Sequence, residues 1–179
     1  WSFNTVSQSL YDVLKNDPRF VSTILDMKAL KAAGVADWAP NYQDTGYFLK
    51  KFIPLNSDTS TGGGATALNY KQNIYTIRLA DTYLMEAEAL GGTGARAQAL
   101  LDAVRARVGL GSVPVSINAI MAERRLELAG EGHRWFDLVR TGQAATVLAG
   151  KGFKAGKNEI WPIPQKDLEN TVMQQNPNY

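Results

Sequence analysis

Two amphipathic stretches parted by glycines constrain this chain more than any other feature. Between Tyr75 and Leu90, residues Ile77, Ala80, Tyr83, Leu84, Ala87 and Leu90 share one face at helical spacing. Gly91-Gly92 stops that helix. Over residues 95–108 the pattern repeats with Ala97, Leu100, Leu101, Val104 and Val108, and Gly109 follows as a C-cap. A helix with one apolar face must bury it, and a tight glycine turn sends the chain back alongside itself. The two stretches therefore form a helical hairpin of about 34 residues, the size of a tetratricopeptide unit. The consensus residues of that repeat do not line up, so the likeness is one of architecture. A third helix is expected over 116–129 with Ser116 as N-cap, and a fourth over 132–141 behind Gly130 or Gly132. The fold class this predicts is mainly α, with tetratricopeptide-like helical hairpins and long loops.

The flanks are less regular. Ser7 is placed to cap a short helix through Leu10, Tyr11, Val13 and Leu14, which Asp17-Pro18 ends. Phe20, Val21, Ile24 and Leu25 form a stripe that suits a turn of helix or a strand, and Lys28 to Ala33 reads as helix up to Gly34. A short strand is expected around 46–53. Residues 57–69, rich in Ser, Thr and Gly, are expected to be a mobile surface loop. Beyond 143 the chain returns to loops, and Pro162 and Pro164 bar a central strand or helix from that stretch. The expected organisation is a loop-rich region over 1–72, a helical scaffold over 73–142 and a C-terminal loop and tail over 143–179, all one folding unit.

Composition narrows the chemistry. At 179 residues the chain is long enough for one domain with a real core. Nineteen Lys and Arg against seventeen Asp and Glu leave a formal charge of +2 with no basic block, which argues against a nucleic-acid partner. Cysteine is absent and His133 is the sole histidine, so thiol catalysis, disulfides and multi-histidine metal sites are excluded; neither metal nor cofactor is expected. No apolar run approaches the ~18–20 residues of a membrane span.

The densest charge lies over 123–140, ERRLELAGEGHRWFDLVR. It carries Glu123, Glu127, Glu131 and Asp137 with Arg124, Arg125, Arg134 and Arg140. At about 100° per residue, Ile117, Ile120, Met121 and Leu128 share a face with Arg124 in its middle, and Glu127 and Glu131 at its edge. A lone guanidinium there would cost several kcal/mol, so carboxylates must receive it. The first hairpin helix offers Arg78, Asp81 and Glu88 on an arc opposite its apolar stripe. Two readings compete. A pair of carboxylates could act on a glycosidic bond. Alternatively, Arg78, Asp81, Glu88, Glu123, Arg124, Glu127, Glu131, Arg134 and Asp137 form a structural ion-pair lattice. The even match of acids and arginines favours the lattice, because a catalytic acid needs surroundings that raise its pKa. Arg124 is expected to be far more buried than Arg125.

The other candidate is the aromatic-rich loop, where Trp38, Tyr42, Tyr47 and Phe48 alternate with Asn, Gln, Asp and Gly. Aromatic faces stack on the C–H faces of pyranose rings while amides and carboxylates read the hydroxyls. Tyr47 and Phe48 suit a role pinning the loop to a core. Trp38 and Tyr42 are the candidate ligand-binding residues.

Several segments together resemble one family. Residues 73–90, with Ile77-Arg78-Leu79-Ala80-Asp81 and Leu84-Met85-Glu86-Ala87-Glu88-Ala89, are similar to the "IRxAExxLMxAEA" helix of SusD/RagB-type outer-membrane lipoproteins. Val104-Arg105-Ala106-Arg107-Val108-Gly109-Leu110 resembles their "VRxRAGL" stretch, and ERRLELAGEGHRWFDLVRTG over 123–142 their most recognisable block. Asn158 to Gln165 and Gln175-Asn176-Pro177-Asn178-Tyr179 look like the "LxPIPQ…QNPGY" ending. Asp17-Pro18-Arg19 and Thr45 to Phe52 resemble the "DxR" and "TGYxxKKY" elements. The resemblance implies a helical, tetratricopeptide-like scaffold and non-catalytic binding of oligosaccharide or, in the RagB-like branch, peptide. It also implies a surface-exposed, lipid-anchored place on the outer membrane and a SusC-like TonB-dependent transporter as partner. Members are typically much longer with a lipid-anchored Cys near their start, so this chain resembles their C-terminal portion. The competing class is a helical-repeat module whose partner is another protein.

Overall fold

The computed structural model describes residues 4–65 and 68–179, which divide into two compact units, Trp1–Glu131 and Gly132–Tyr179. Among the described residues helix takes 42% and strand 5%, so the class is mainly α.

The first unit opens with α1 (Gln8–Leu14), where the Ser7 hydroxyl accepts the Leu10 N–H as N-cap. The stripe over 20–25 becomes both of its alternatives: α2 (Phe20–Thr23) runs directly into strand β1 (Ile24–Asp26). Asp26 then caps α3 (Met27–Ala32) by accepting the Ala29 N–H at 2.9 Å. Strand β2 (Tyr47–Leu49) pairs antiparallel with β1, setting Ile24 opposite Leu49 and Asp26 opposite Tyr47. Val6, Leu14, Ile24, Tyr47 and Ala129 form a small buried cluster here. Within it Tyr11 stacks on Tyr47 with centroids 4.0 Å apart.

The larger core belongs to the hairpin. Helices α4 (Leu79–Ala89) and α5 (Gly94–Ala106) pack on each other and on α6 (Ile117–Glu127), which Ser116 caps through the Ala119 N–H. Leu84, Ala87, Ala97, Leu100, Leu101, Val104, Ile120 and Met121 close that core. Each fully buried Leu or Ile contributes about 1.5–3 kcal/mol. The Gln98 amide holds the α5–α6 connection by donating to the Val113 carbonyl and accepting the Val115 N–H, both at 2.8 Å.

Three details depart from the periodicity. The first hairpin helix begins at Leu79 rather than Tyr75, leaving Ile77 exposed. Arg78 has extended backbone, with its side chain drawn to Glu127 at the end of α6 and to Glu131 beyond it, so the helix starts after it. Ile117, in the first turn of α6, is also exposed while Ile120, Met121 and Leu128 are buried. Asp81 is buried on the same side as Leu84, three residues on, and not on an opposing arc. Of the loop over 57–69, residues 66 and 67 lie outside the described residues. The rest closes on itself through the Ser60 N–H to the Asn69 carbonyl and the Asn69 amide to the Gly63 carbonyl.

The second unit contains α7 (His133–Arg140), α8 (Ala144–Val147), a 3-10 turn at Ala149–Lys151 and α9 (Gln165–Leu168). Its tail is tied by side chains because Pro162 and Pro164 have no N–H to offer. Gln175 accepts the Ile163 N–H and donates to the Ile163 carbonyl, both at 2.8 Å. The Asn176 amide donates to the Trp161 carbonyl at 2.6 Å, and the Tyr179 hydroxyl to the Ile160 carbonyl at 2.8 Å.

The α4–α5 turn supplies a test. Gly92 has φ +64°, and a Cβ there would lie 2.6 Å from the Ile117 nitrogen, a backbone atom that cannot step aside. Gly91 has φ +75°, but its Cβ would meet only Thr93 Cγ2 at 4.0 Å. Gly92→Ala is expected to cost about 2–4 kcal/mol, from left-handed strain plus the clash. Gly91→Ala carries the strain alone and is expected to cost about 1 kcal/mol. Urea denaturation of the two variants checks this, and equal losses would refute the backbone contact.

Candidate ligand-binding site

The site rests on a buried charge lattice in the first unit. Glu123 and Glu127, four residues apart on α6, are 2% and 1% exposed. Glu127 accepts Arg78 at 2.6 Å, Arg107 at 2.8 Å and Arg19 at 3.0 Å. Glu123 accepts Arg19 at 2.6 Å and Arg105 at 2.8 Å. Glu131 receives Arg78 Nε and Lys51 Nζ, each at 2.6 Å. Arg19 grips Asp17 with Nε and Nη2, and Arg124 Nη1 donates to Asp81 Oδ1 at 2.6 Å. Arg124 is 4% exposed, whereas Arg125 is half-buried and reaches the Ser9 carbonyl.

These contacts decide the chemistry of the acids. Burial pushes the Glu127 carboxyl up, but the Arg78, Arg19 and Arg107 guanidinium groups outweigh it and hold the pKa below its ordinary value. For Glu131, burial is likewise outweighed by Arg78 and Lys51. Both stay ionised at neutral pH and have no proton to donate to a leaving group.

Of the residues singled out in sequence, Arg78 joins Glu127 and Glu131, Glu123 is linked to Glu127 through Arg19, and Arg124 pairs with Asp81, all within the first unit. Glu88 is half-buried on α4. Arg134 and Asp137 lie in the second unit, where Asp137 accepts Arg140 from its own helix at 2.7 Å. His133 opens α7, half-buried. Charge spacing missed Asp17, Arg19, Lys51, Arg105 and Arg107. Their one signal was membership in the DPR, KKF and VRARVGL segments. Asp17, Arg19 and Lys51 lie outside the helices, where periodicity has no purchase, and Arg105 and Arg107 at the end of α5 lie off its apolar stripe.

Beside β2 lies a cleft of about 600 Å³ lined by Trp38, Asp44, Phe48 and Phe52, with Leu25 and Met27 from the β1–α3 junction. Trp38 is half-buried, and its indole N–H donates to Asp44 Oδ2 at 2.9 Å. Lys31 Nζ sits 5.5 Å from its ring centroid. The other Asp44 oxygen accepts the Gly46 N–H at 2.7 Å, so the carboxylate joins the indole to the turn entering β2. Tyr42 is 82% exposed and is not among the residues lining this cleft. Tyr47 is in the core, whereas Phe48 faces the cleft.

Within the first unit a helical hairpin is thus tied to its flanking loops by a buried arginine–glutamate lattice, with an aromatic cleft beside β2. The chain belongs to the SusD family, whose model it matches over residues 9–179. It is 33% identical over 158 residues to SusD-like protein P38 of Formosa agariphila, covering 79% of this chain and 30% of that protein. It is 31% identical to a SusD-like protein of Bacteroides ovatus over 111 residues, 59% of this chain and 20% of the relative. Among solved structures, a laminarin binding SusD-like protein superposes with a TM-score of 0.96 at 68% identity, covering all of this chain and 39% of that one. Surface glycan-binding protein A from Bacteroides thetaiotaomicron, in complex with laminarihexaose, does so with a TM-score of 0.83 at 29% identity, over 96% of this chain and 41% of its own. This chain thus spans less than half the length of these relatives.

The lattice generates two tests. Arg124→Ala leaves the Asp81 carboxylate buried and is expected to cost about 3–5 kcal/mol, against ~0.5 kcal/mol or less for Arg125→Ala. Similar losses in the two variants would refute the distinction. The depressed pKa values of Glu127 and Glu131 give the second. Their contribution is complete above the unfolded carboxyl value of about 4.3 and is lost as pH falls through the folded values. The melting temperature should therefore hold from pH 7 to 5 and drop steeply below about pH 4, less steeply in Glu127→Gln. An unchanged acid slope in that variant would remove Glu127 from the linkage.

Proposed function

We propose that this chain is the C-terminal portion of a non-catalytic oligosaccharide-binding protein at the surface of the outer membrane, delivering its glycan to a SusC-like TonB-dependent transporter. The observation that carries the reading is the 68% identity, across the whole of this chain, to a protein described as laminarin binding. The ligand proposed is a laminarin-type oligosaccharide. Trp38 supplies the stacking face, held in orientation by its hydrogen bond to Asp44. Tyr42, exposed on the same loop, offers a second face. A preorganised indole loses little freedom on binding, which is where an open cleft gains most of its affinity. The acids of the first unit support a non-catalytic role, since guanidinium groups hold Glu127 and Glu131 ionised. No cofactor is required by this reading.

Calorimetric titration of the chain with laminarihexaose tests it. One stacked ring contributes about 1 kcal/mol beyond area burial, so binding near millimolar is expected, with Trp38→Ala about fivefold weaker. Tyr42→Ala should weaken binding less. An unchanged affinity in Trp38→Ala would remove that residue from the site, and release of shorter sugars during the titration would overturn the non-catalytic reading.

A further inference from the structure

The second unit carries its own aromatic cleft, of about 370 Å³, lined by Trp135, Phe153, Trp161, Tyr179, Lys151 and Asn158 among others. The Trp135 ring lies 5.8 Å from Phe153 and 6.3 Å from Trp161, centroid to centroid. Trp161 is 77% exposed. An indole left this open gains little for folding by burial, yet the backbone around it is held at several points. It is followed by Pro162-Ile163-Pro164, which fixes φ at two of the next three residues. Its own carbonyl accepts the Asn176 amide, the preceding carbonyl accepts the Tyr179 hydroxyl, and Gln175 holds Ile163 through both backbone groups. The tail thus braces an aromatic face that solvent reaches. Phe153 and Trp135, both half-buried, form the wall behind it.

We propose that this cleft is a second pyranose-binding subsite, taking a neutral hexose ring of an oligosaccharide against Trp161. The proposal rests on the oligosaccharide-binding reading above but uses none of the residues of the Trp38 cleft. The chemistry favours a neutral sugar. Aromatic faces meet axial C–H groups, and the Lys151 ammonium and the Asn158 amide nitrogen, whose oxygen accepts the Lys154 N–H, are donors in the lining that match hydroxyl oxygens. Among the described residues no Asp or Glu lines the cleft. Lys157 Nζ lies 4.5 Å from the Tyr179 centroid, over one face of that ring, which leaves Trp161 as the open platform.

The chain has four tryptophans, Trp1, Trp38, Trp135 and Trp161, so each indole can report separately. Incorporating 5-fluorotryptophan and assigning each fluorine resonance by a Trp→Phe variant allows all four to be followed while laminarihexaose is added. The expected result is a saturable shift of Trp161 and Trp135. Trp161→Ala should abolish the Trp135 response while the Trp38 titration stays within about twofold. Trp161→Phe should retain the Trp135 response with affinity within about threefold. The labelled parent chain decides the matter even where Trp161→Ala misfolds. Resonances of Trp135 and Trp161 that stay fixed while Trp38 moves overturn the second subsite and leave the first reading intact. Movement at Trp161 with none at Trp38 supports the second subsite and removes Trp38 from the first. A spectrum with no response at all overturns both. A response at Trp161 to an apolar peptide but none to the sugar overturns the subsite as a carbohydrate site.

Discussion

The carboxylate of Glu127 is the contact on which the first unit depends. It is almost wholly buried and collects guanidinium groups from three separate segments: Arg19 beside α2, Arg78 ahead of α4 and Arg107 at the end of α5. Its backbone carbonyl receives Arg78 again and Lys51 after β2. Without those donors, one buried charge would cost several kcal/mol. With them, the N-terminal loops and the helical hairpin are bound to one turn of α6. Apolar packing drives the two clusters to form, but it has little directional preference. The lattice supplies register, because each fork of donors fits only one arrangement of acceptors.

That division explains why the small β1–β2 pairing persists. Two strands of three residues are marginal by themselves. Here they are held at one end by Tyr47, buried and stacked on Tyr11, and at the other by Lys51, which reaches Glu131. The strands in turn carry Phe48, and Gly46 at the start of β2 binds the carboxylate that orients Trp38. A chain of contacts therefore runs from Glu131 and the Glu127 carbonyl to the indole of the candidate site.

The hairpin and its caps were legible in the sequence because helical spacing is a local property. Ser7, Ser116 and the stop at Gly91-Gly92 follow from the backbone groups each helix end leaves unpaired. The start at Leu79 was not legible: nothing in the spacing of Ile77 or Tyr75 says that Arg78 will be pulled toward Glu127 and Glu131. Periodicity found the acids of α6 and the misfit of Arg124, yet it could not name Arg19, Lys51, Arg105 or Arg107 as partners, since tertiary proximity between separate segments leaves no period. Trp38 stood out by composition, but its tie to Asp44 and the separation of Tyr42 from the cleft depend on how the loop turns at Gly46. The tail was opaque for another reason. Its order comes from side-chain amides pairing with backbone, and an Asn or Gln signals that only once the backbone it faces is known.

The same lattice shapes what the surface offers a ligand. Most of the buried charge of the first unit is committed internally, and the chain as a whole is left at +2. A surface of this kind has little field with which to draw in a charged substrate. What remains for recognition are aromatic faces and amides, each contributing about 1 kcal/mol or less to a neutral sugar. A monomeric sugar would hardly be retained on such terms. A polymer presents the same ring many times over, and weak subsites tethered on one chain raise its apparent affinity by effective concentration without any stronger contact. Release of the glycan would then require only that single weak contacts open in turn, which accords with the proposed handing of the ligand to a transporter.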